Sequence, residues 1–439
     1  MIWNTRFSTL ALLLSVILVS YSSAEETVAN DPQPRWWKGN IHTHTLWSDG
    51  NDFPEMIANW YRTHDYNFLA LSDHNILSEG EKWMAMSTVL KRGGKDVVEK
   101  YQAQFGPDWV EIRGEPGTPK HEIRLQPLNE FRALLEEREK FIMVQGEEIS
   151  GRFGSKPIHM NATNIKQVLQ PVGGQSVVET INNNFRAVEE QAKSSGREIL
   201  LHLNHPNFGY GVTAEEIAEV VSERFFEVYN GHPGIRHLGD DDHPSIERLW
   251  DIANTIRIAH LNSAPLYGMG TDDSHHYHGR GSSRNGRGWI MVHSKYLSPN
   301  HLLRAINQGD FYASSGVSLD EITMDEQSQT LSFKILAEEG VTYKTQFVGT
   351  LVDYDQTATV RTDKDGKPLA IAKKYSQDVG KILAEVDGLN PTYHLTGKEL
   401  YVRAVVTSSK DHRDPSFKDQ HQQAWTQPVG WEKHLDKKE

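Results

Sequence analysis

Short apolar runs that each carry a histidine or a carboxylate at one end constrain this chain more than any other feature. They read Trp36–His44, Phe68–Asn75, Phe141–Ser150, His159–Ile165, Glu198–Pro206, Phe225–Gly231 and Pro265–His275. Helical patterns lie between them: Glu55–His64 after Pro54, Leu128–Lys140, Val177–Ser194, Ala214–Val221 and Ile246–His260. Strands that alternate with helices imply an α/β fold with a parallel sheet. About seven such units favour a closed β/α barrel, whose chemistry gathers at the C-terminal strand ends. The candidate polar residues stand at those ends. No glycine-rich dinucleotide fingerprint follows the first strand, which weighs against a Rossmann-type sheet.

His42 and His44 are two apart, so on a strand both imidazoles share a face and can point at one ion. Ser48-Asp49-Gly50 follows them. Asp73 and His74 end the run Phe68-Leu-Ala-Leu71, where a buried charged pair is costly unless it meets a metal or its own partner. His74 is read as a ligand and Asp73 as a group that orients a neighbour without touching the ion. In Gly146-Glu147-Glu148-Ile149-Ser150 only one glutamate can share the ligand face, and the pattern leaves the choice open. Asp273 and His275 have strand parity, with Asp272 as the alternative to Asp273. His205 precedes Pro206 at a strand end, whereas His202 sits deeper and reads as a packed histidine. His232, His237, His243, His276 and His278 lie in loops and read as solvated. The chain contains no cysteine, so any metal here has nitrogen and oxygen ligands only. Such a set is enough for a multinuclear centre, for which zinc, manganese and iron all qualify.

Residues 91–127 break the rhythm. Arg92-Gly-Gly-Lys95, Pro107 and Glu115-Pro-Gly-Thr-Pro119 punctuate a hairpin pattern at Trp109–Arg113 and His121–Leu125. They read as an insertion and a candidate lid over the barrel mouth. Residues 299–312 resemble a last helix. From 316 to 431 apolar and polar residues alternate between turn signals, the pattern of a small sandwich-like β-rich module appended to a 36–315 barrel. Residues 432–439 form a charged tail.

The start of the chain has the form of a signal peptide. Arg6 precedes an apolar run, Leu10–Val19, and small residues lead to a cut after Ala24. The run is too short to span a bilayer comfortably. Export to the periplasm or medium is the expectation, with 1–24 removed, no stable membrane anchor, and 25–35 a disordered leader. The formal net charge is −13 with no basic stripe, which argues against a nucleic-acid partner.

Taken together, the motifs resemble the polymerase and histidinol phosphatase (PHP) superfamily. The carrying pieces are Ile41-His-Thr-His44 with Ser48-Asp-Gly50, Leu71-Ser-Asp-His-Asn75, Gly146-Glu-Glu-Ile-Ser150, Asn204-His-Pro206 and Gly270-Thr-Asp-Asp-Ser-His275. The match looks closest to the carbaryl-hydrolase-like CehA/McbA branch, through His159-Met-Asn161, Glu227-Val-Tyr-Asn-Gly231, Asn307–Gly316 and Ala424–Val429. The resemblance implies a distorted seven-stranded (β/α) barrel with up to three metals. It places one ion on His42, His44, Glu148 and Asp273, a second on Glu148, His159 and His205, and a third on Asp49, His74 and His275. It thereby favours Glu148, Asp273 and His205 over their neighbours.

The expected activity is that of an exported phosphoesterase in which a hydroxide held between metal ions attacks a small-molecule, anionic ester. Arg280, Arg284 and Arg287, in the loop after the last ligand pair, and Lys156 are the candidate phosphate-gripping cations. One alternative keeps the metals but cleaves a carbamate, carboxylic ester or amide, with Trp47, Phe208 and Tyr210 as an apolar lining. The other is a non-catalytic ligand-binding module.

Overall fold

The computed structural model describes residues 31–435. The expected signal segment 1–24 and most of the expected leader lie outside the described residues, as does the end of the tail. From Pro34 onward the chain forms one unit.

Up to Ser314 the chain contains strands β1 (Arg35–Asn40), β2 (Phe68–Leu71), β3 (Lys82–Ala85), β4 (Ile112–Arg113), β5 (Glu122–Leu125), β6 (Ile142–Phe153), β7 (Lys156–Thr163), β8 (Leu200–Leu203), β9 (Phe225–Asn230), β10 (Tyr267–Thr271), β11 (Trp289–Ser294) and β12 (Phe311–Ser314). Its helices are α1 (Pro54–Thr63), α2 (Met86–Gly93), α3 (Val97–Phe105), α4 (Leu128–Leu135), α5 (Val177–Ser195), α6 (Ala214–Glu219), α7 (Ile246–His260) and α8 (Pro299–Gln308). The remainder is strand: β13 (Leu319–Asp325), β14 (Thr330–Ile335), β15 (Tyr343–Leu351), β16 (Ala358–Thr359), β17 (Lys374–Tyr375), β18 (Lys381–Asp387), β19 (Thr392–His394), β20 (Glu399–Asp411) and β21 (His421–Trp425).

This is a mixed α/β protein with a large central sheet. Thirteen strands pair in the order β10-β9-β8-β7-β6-β2-β1-β11-β12-β21-β20-β15-β18. The expected parallel alternation holds for β1–β2, β2–β6, β8–β9 and β9–β10. It fails at β6–β7–β8, which pair antiparallel. The reason is local. Only Gly154 and Ser155 separate β6 from β7, and Gly154 has φ +59°. A two-residue turn can join only antiparallel strands. Among the described residues the expected seven-stranded closure does not appear as a paired ring; the pairing runs on in one open order. The C-terminal strands also continue that sheet, because β12 pairs with β21 through Ala313–Trp425 and Ser314–Ala424.

Local signals explain several elements. Pro54 opens α1, where its missing N–H costs nothing. The Ser176 side chain accepts the Glu179 N–H to start α5, and Gly196 ends it in the left-handed region. The insertion is larger than its expected bounds. It contains the three-stranded sheet β3-β5-β4 and the helices α2 and α3. Of the Gly93-Gly94 pair, read as loop, Gly93 ends α2 and Gly94, with φ +102°, opens the break before α3. The insertion has its own core of Leu46, Trp47, Phe53, Met86, Val89, Val97, Tyr101, Ile123 and Leu125.

Candidate metal centre

Backbone pairing brings the polar strand ends together. Beyond β1 and β10 the chain is stitched by Asp273 N–H to His42 O and His44 N–H to Ser274 O, both 2.9 Å. On the β6–β7 hairpin, Ser150 stands opposite His159 and Glu148 opposite Asn161. Glu148 and His159 therefore share one face of the sheet. The segment after β2 bridges to Glu148 through His74.

All nine expected ligands converge on one spot, with Glu148 at its centre. From its two oxygens to the nearest imidazole nitrogens the distances are 3.6 Å to His42, 3.5 Å to His44, 2.6 Å to His74, 3.0 Å to His159 and 3.5 Å to His205. Asp273 Oδ1 lies 3.3 Å from His42 Nε2 and 3.2 Å from His44 Nε2. Asp49 Oδ1 lies 3.3 Å from His275 Nε2 and 3.6 Å from His74 Nε2. Among the described residues five groupings have candidate ligand atoms within 4.8 Å of one another: His42, His44 and Glu148; His42, His205 and Asp273; Glu148, His159 and His205; His44, Asp49, His74 and His275; and, behind His42, His42 with His202 and Glu227.

Several of these buried atoms face one another without a hydrogen bond. His42 Nε2, His44 Nε2 and Glu148 Oε2 have no partner. The close approach of Glu148 Oε2 to His74 Nδ1 lacks hydrogen-bond alignment, and His74 Nδ1 bonds Ser150 Oγ instead. Buried polar atoms are normally satisfied. Imidazole nitrogens and carboxylate oxygens aimed inward at a common point are the donor set that fits divalent cations.

The doubled acids separate cleanly. Glu147 turns away and accepts the Leu169 N–H at 2.8 Å, and burial raises its carboxyl to about 7. Asp272 accepts the Tyr61 hydroxyl and the N–H groups of Gly286, Arg287 and Gly288. Their neighbours Glu148 and Asp273 face the cluster. Burial opposes ionisation of both, yet the surrounding histidines hold their carboxyls well below the usual range. Burial and the nearby His275 and His74 push His44 down to about 3. Burial also works against protonation of His74, but Glu148 and Asp49 raise it to about 11. His205 and Asp273 adopt φ of +22° and +48°, backbone strain of the kind that collects at functional sites.

Asp73 touches no histidine of the cluster. Its carboxylate accepts the N–H groups of Thr45 and Ser48 and both their hydroxyls. It thereby shapes the turn that carries Asp49. Two cations of the insertion hold the same turn from outside: Lys82 Nζ donates to Trp47 O and Arg92 to Ser48 O.

The expected phosphate-gripping cations fare differently. Arg287 is buried and donates to Gly231 O, Ser282 O and both oxygens of Asp414. Lys156 pairs with Glu216 at 3.1 Å. Both are held by internal partners. Arg284 stands 3.5 Å from Asp414 with a half-exposed side chain, and Arg280 is exposed with its guanidinium against Gly94. Of the expected apolar lining, Phe208 borders the cluster, 5.2 Å from His205 and 6.2 Å from His159 between ring centroids. Trp47 belongs to the core of the insertion, and Tyr210 stacks on His243.

Glu227, Asn204 and Asn230 went unassigned in the sequence. Glu227 is fully buried and accepts His42 Nδ1–H at 2.6 Å, the His205 N–H at 2.8 Å and the Thr271 hydroxyl at 2.7 Å. Asn204 donates to Glu148 at 2.8 Å, and Asn230 to Glu227 and Asp273. These groups orient ligands. Glu227 has a readable signal: a charged residue inside the apolar run Phe225–Tyr229.

No family model matches this chain, and no curated protein matches it. Solved structures that it resembles include a two-domain protein from Bacteroides vulgatus ATCC 8482 containing an inferred PHP-like metal-dependent phosphoesterase. The identity is 13% over 91% of this chain and 99% of that one, with a TM-score of 0.38. Another is an inferred metal-dependent phosphoesterase from Bifidobacterium adolescentis ATCC 15703, at 13% identity over 63% and 96% of the two chains and a TM-score of 0.28. At such scores the likeness decides nothing about chemistry, which rests on the site's own geometry.

Proposed function

We propose that this protein is a multinuclear metal-dependent hydrolase of PHP type, acting on phosphoesters. One observation carries the reading: a single buried carboxylate, Glu148, lies 2.6–3.6 Å from five imidazoles, with Asp273 and Asp49 on either side. The residues that would hold the ions are His42, His44, Asp49, His74, Glu148, His159, His205, Asp273 and His275. Two or three divalent ions there would supply Lewis acidity and activation of water. The chain itself fixes the imidazoles: Glu227 holds His42 Nδ1–H, which leaves Nε2 for the cluster. We read β1, β2, β6, β7, β8, β9 and β10 as the distorted barrel, a reading supported by the stitching of His42 and His44 to the segment after β10.

A second reading, hydrolysis of carbamates or carboxylic esters, is favoured by Phe208 at the cluster and by the internal partners of Arg287 and Lys156. Turnover of bis-p-nitrophenyl phosphate, p-nitrophenyl phosphate and p-nitrophenyl acetate separates the two. Phosphoester turnover lost in His42→Ala supports the first. Turnover of the acetate alone supports the second and refutes the first.

Export is part of the proposal and rests on Leu10–Val19 and Ala24. Among the described residues no helix is long and apolar enough to cross a membrane. A mature N-terminus at Glu25, read by mass spectrometry, is the expected result; an intact Met1 in exported protein contradicts it.

A further inference from the structure

His232 has no place among the nine expected ligands, yet the fold installs it beside them. It follows β9 and opens the short helical turn Pro233–Ile235. Its backbone N–H donates to Asn230 Oδ1 at 2.8 Å, and the amide of the same Asn230 donates to Glu227 and Asp273. The position of His232 is thus tied to the network that orients the ligands.

The ring orientation is fixed as well. Gly234 N–H donates to Nδ1 at 3.0 Å. In a neutral imidazole this makes Nδ1 the acceptor and leaves the proton on Nε2. A Cβ at Gly234 would meet both Cε1 and Nδ1 of His232 at 3.0 Å, so a larger residue there would press on the ring and displace it by a few tenths of an ångström. The half-buried ring stands 5.9 Å from His275, edge to face, and 6.3 Å from Phe208. Phe208 in turn packs against His205 and His159. His232 and Phe208 therefore border the cluster beside the ligands of two expected ions. Among the described residues Nε2 has no hydrogen-bond partner, whereas the guanidinium of Arg287 and the amine of Lys156 are held by Asp414 and Glu216.

We infer that His232 is a substrate-contacting residue whose Nε2–H donates a hydrogen bond to a phosphoryl oxygen, with Phe208 as the apolar wall beside it. The inference rests on the phosphoesterase reading. It requires no proton transfer, since a neutral imidazole with a fixed tautomer serves as a donor throughout. It supplies an oxygen-binding group that the internally held Arg287 and Lys156 do not.

The test uses the full chain as purified, with its metal. Metal per chain, the Kd for inorganic phosphate by calorimetry, and kcat and KM for bis-p-nitrophenyl phosphate are measured for wild type, His232→Ala, His232→Gln and Gly234→Ala. The expected result is unchanged metal content, with phosphate Kd and KM about tenfold higher in His232→Ala, the size of one hydrogen bond to a charged oxygen. His232→Gln restores most of the loss, because its amide N–H replaces Nε2–H. Gly234→Ala shows an intermediate loss, because the ring is displaced but retained. Unchanged phosphate affinity in His232→Ala, no rescue by glutamine, or loss of metal in His232→Ala overturns the inference. If wild type turns over only p-nitrophenyl acetate, the phosphoesterase reading fails separately. The same variants then judge His232 by kcat/KM on the acetate, where a tenfold loss rescued by glutamine keeps it as an oxygen donor and no loss removes it. If wild type neither binds phosphate nor cleaves any of these esters, both fall.

Discussion

The deep end of the histidine cluster and its open end are held in different ways. At the deep end His42, His44, Glu148 and Asp273 are buried, and a layer of Glu227, Asn204 and Asn230 fixes the orientation of His42, Glu148 and Asp273. Those supports come from β8 and β9 and the turns that follow them. At the open end Asp49 is 51% exposed at its side chain, and His74 and His275 are partly exposed. The turn that carries Asp49 is held by Asp73 below and by Lys82 and Arg92 of the insertion above, while His74 Nδ1 meets Ser150 Oγ and His275 Nδ1 meets Asp273 O. The lesson is that one site carries two levels of rigidity. A preformed interior sits beside a rim whose geometry depends on a docked insertion.

The sharpest way to break this contrast is at the residue both ends share. Glu148→Ala removes the group nearest five histidines, and we expect activity to fall by roughly a thousandfold or more together with most bound metal. Steady-state kinetics and metal analysis of the variant check it; retained metal would mean that Glu148 organises nothing. Next in size is Glu227→Gln, which keeps the shape but weakens the acceptor for His42 Nδ1–H and the His205 N–H. Metal affinity should fall about 10- to 100-fold, measured by competition with a chelator, and the most tightly held ion should be the one affected.

Smaller still is Arg92→Ala. It frees the turn carrying Asp49 and should lower occupancy of the open-end ion by several-fold while leaving the deep ions in place. A metal titration that resolves weak and tight sites reads this directly; equal loss from all sites would erase the contrast.

The smallest effect is on stability. Burial raises Glu55, which accepts from Tyr101 and Trp109 under the insertion, to about 7, and its neighbour Asp52 likewise. A carboxyl raised in the folded state favours folding fully below its ordinary value and loses that contribution as pH rises through about 7. Wild type should therefore lose melting temperature as pH rises from about 4.5 to about 7, with the loss levelling off above that. Glu55→Gln should lose less, with Asp52 supplying the remainder, and thermal melts across that range decide it.

Most of the cluster was legible because its residues stand at the ends of apolar runs, where a charge without a partner is costly. His42, His74 and Asp273 announce themselves in that way. Asp49, in the turn after His44, was read from Ser48-Asp-Gly50 instead. The choice between Glu147 and Glu148 was not legible from pattern, because it depends on which face of β6 meets β7, and a Gly-Ser turn sets that register. The sheet's mixed direction was hidden for the same reason. Two residues decide whether β6 and β7 run antiparallel, while hydropathy sees only two apolar runs. The employment of Arg287 could not be read either, since its partner Asp414 lies 127 positions away. His232 looked like an ordinary loop histidine, and only the fold brings it to His275 and Phe208.

The central claim is a multinuclear centre organised by Glu148, and metal stoichiometry tests it most directly. Protein purified without added metal is analysed by mass spectrometry beside Glu148→Ala. About two to three divalent ions per wild-type chain, falling below about one in the variant, is the result this account predicts. Less than about one ion in wild type, unrestored by zinc, manganese or iron, would contradict it.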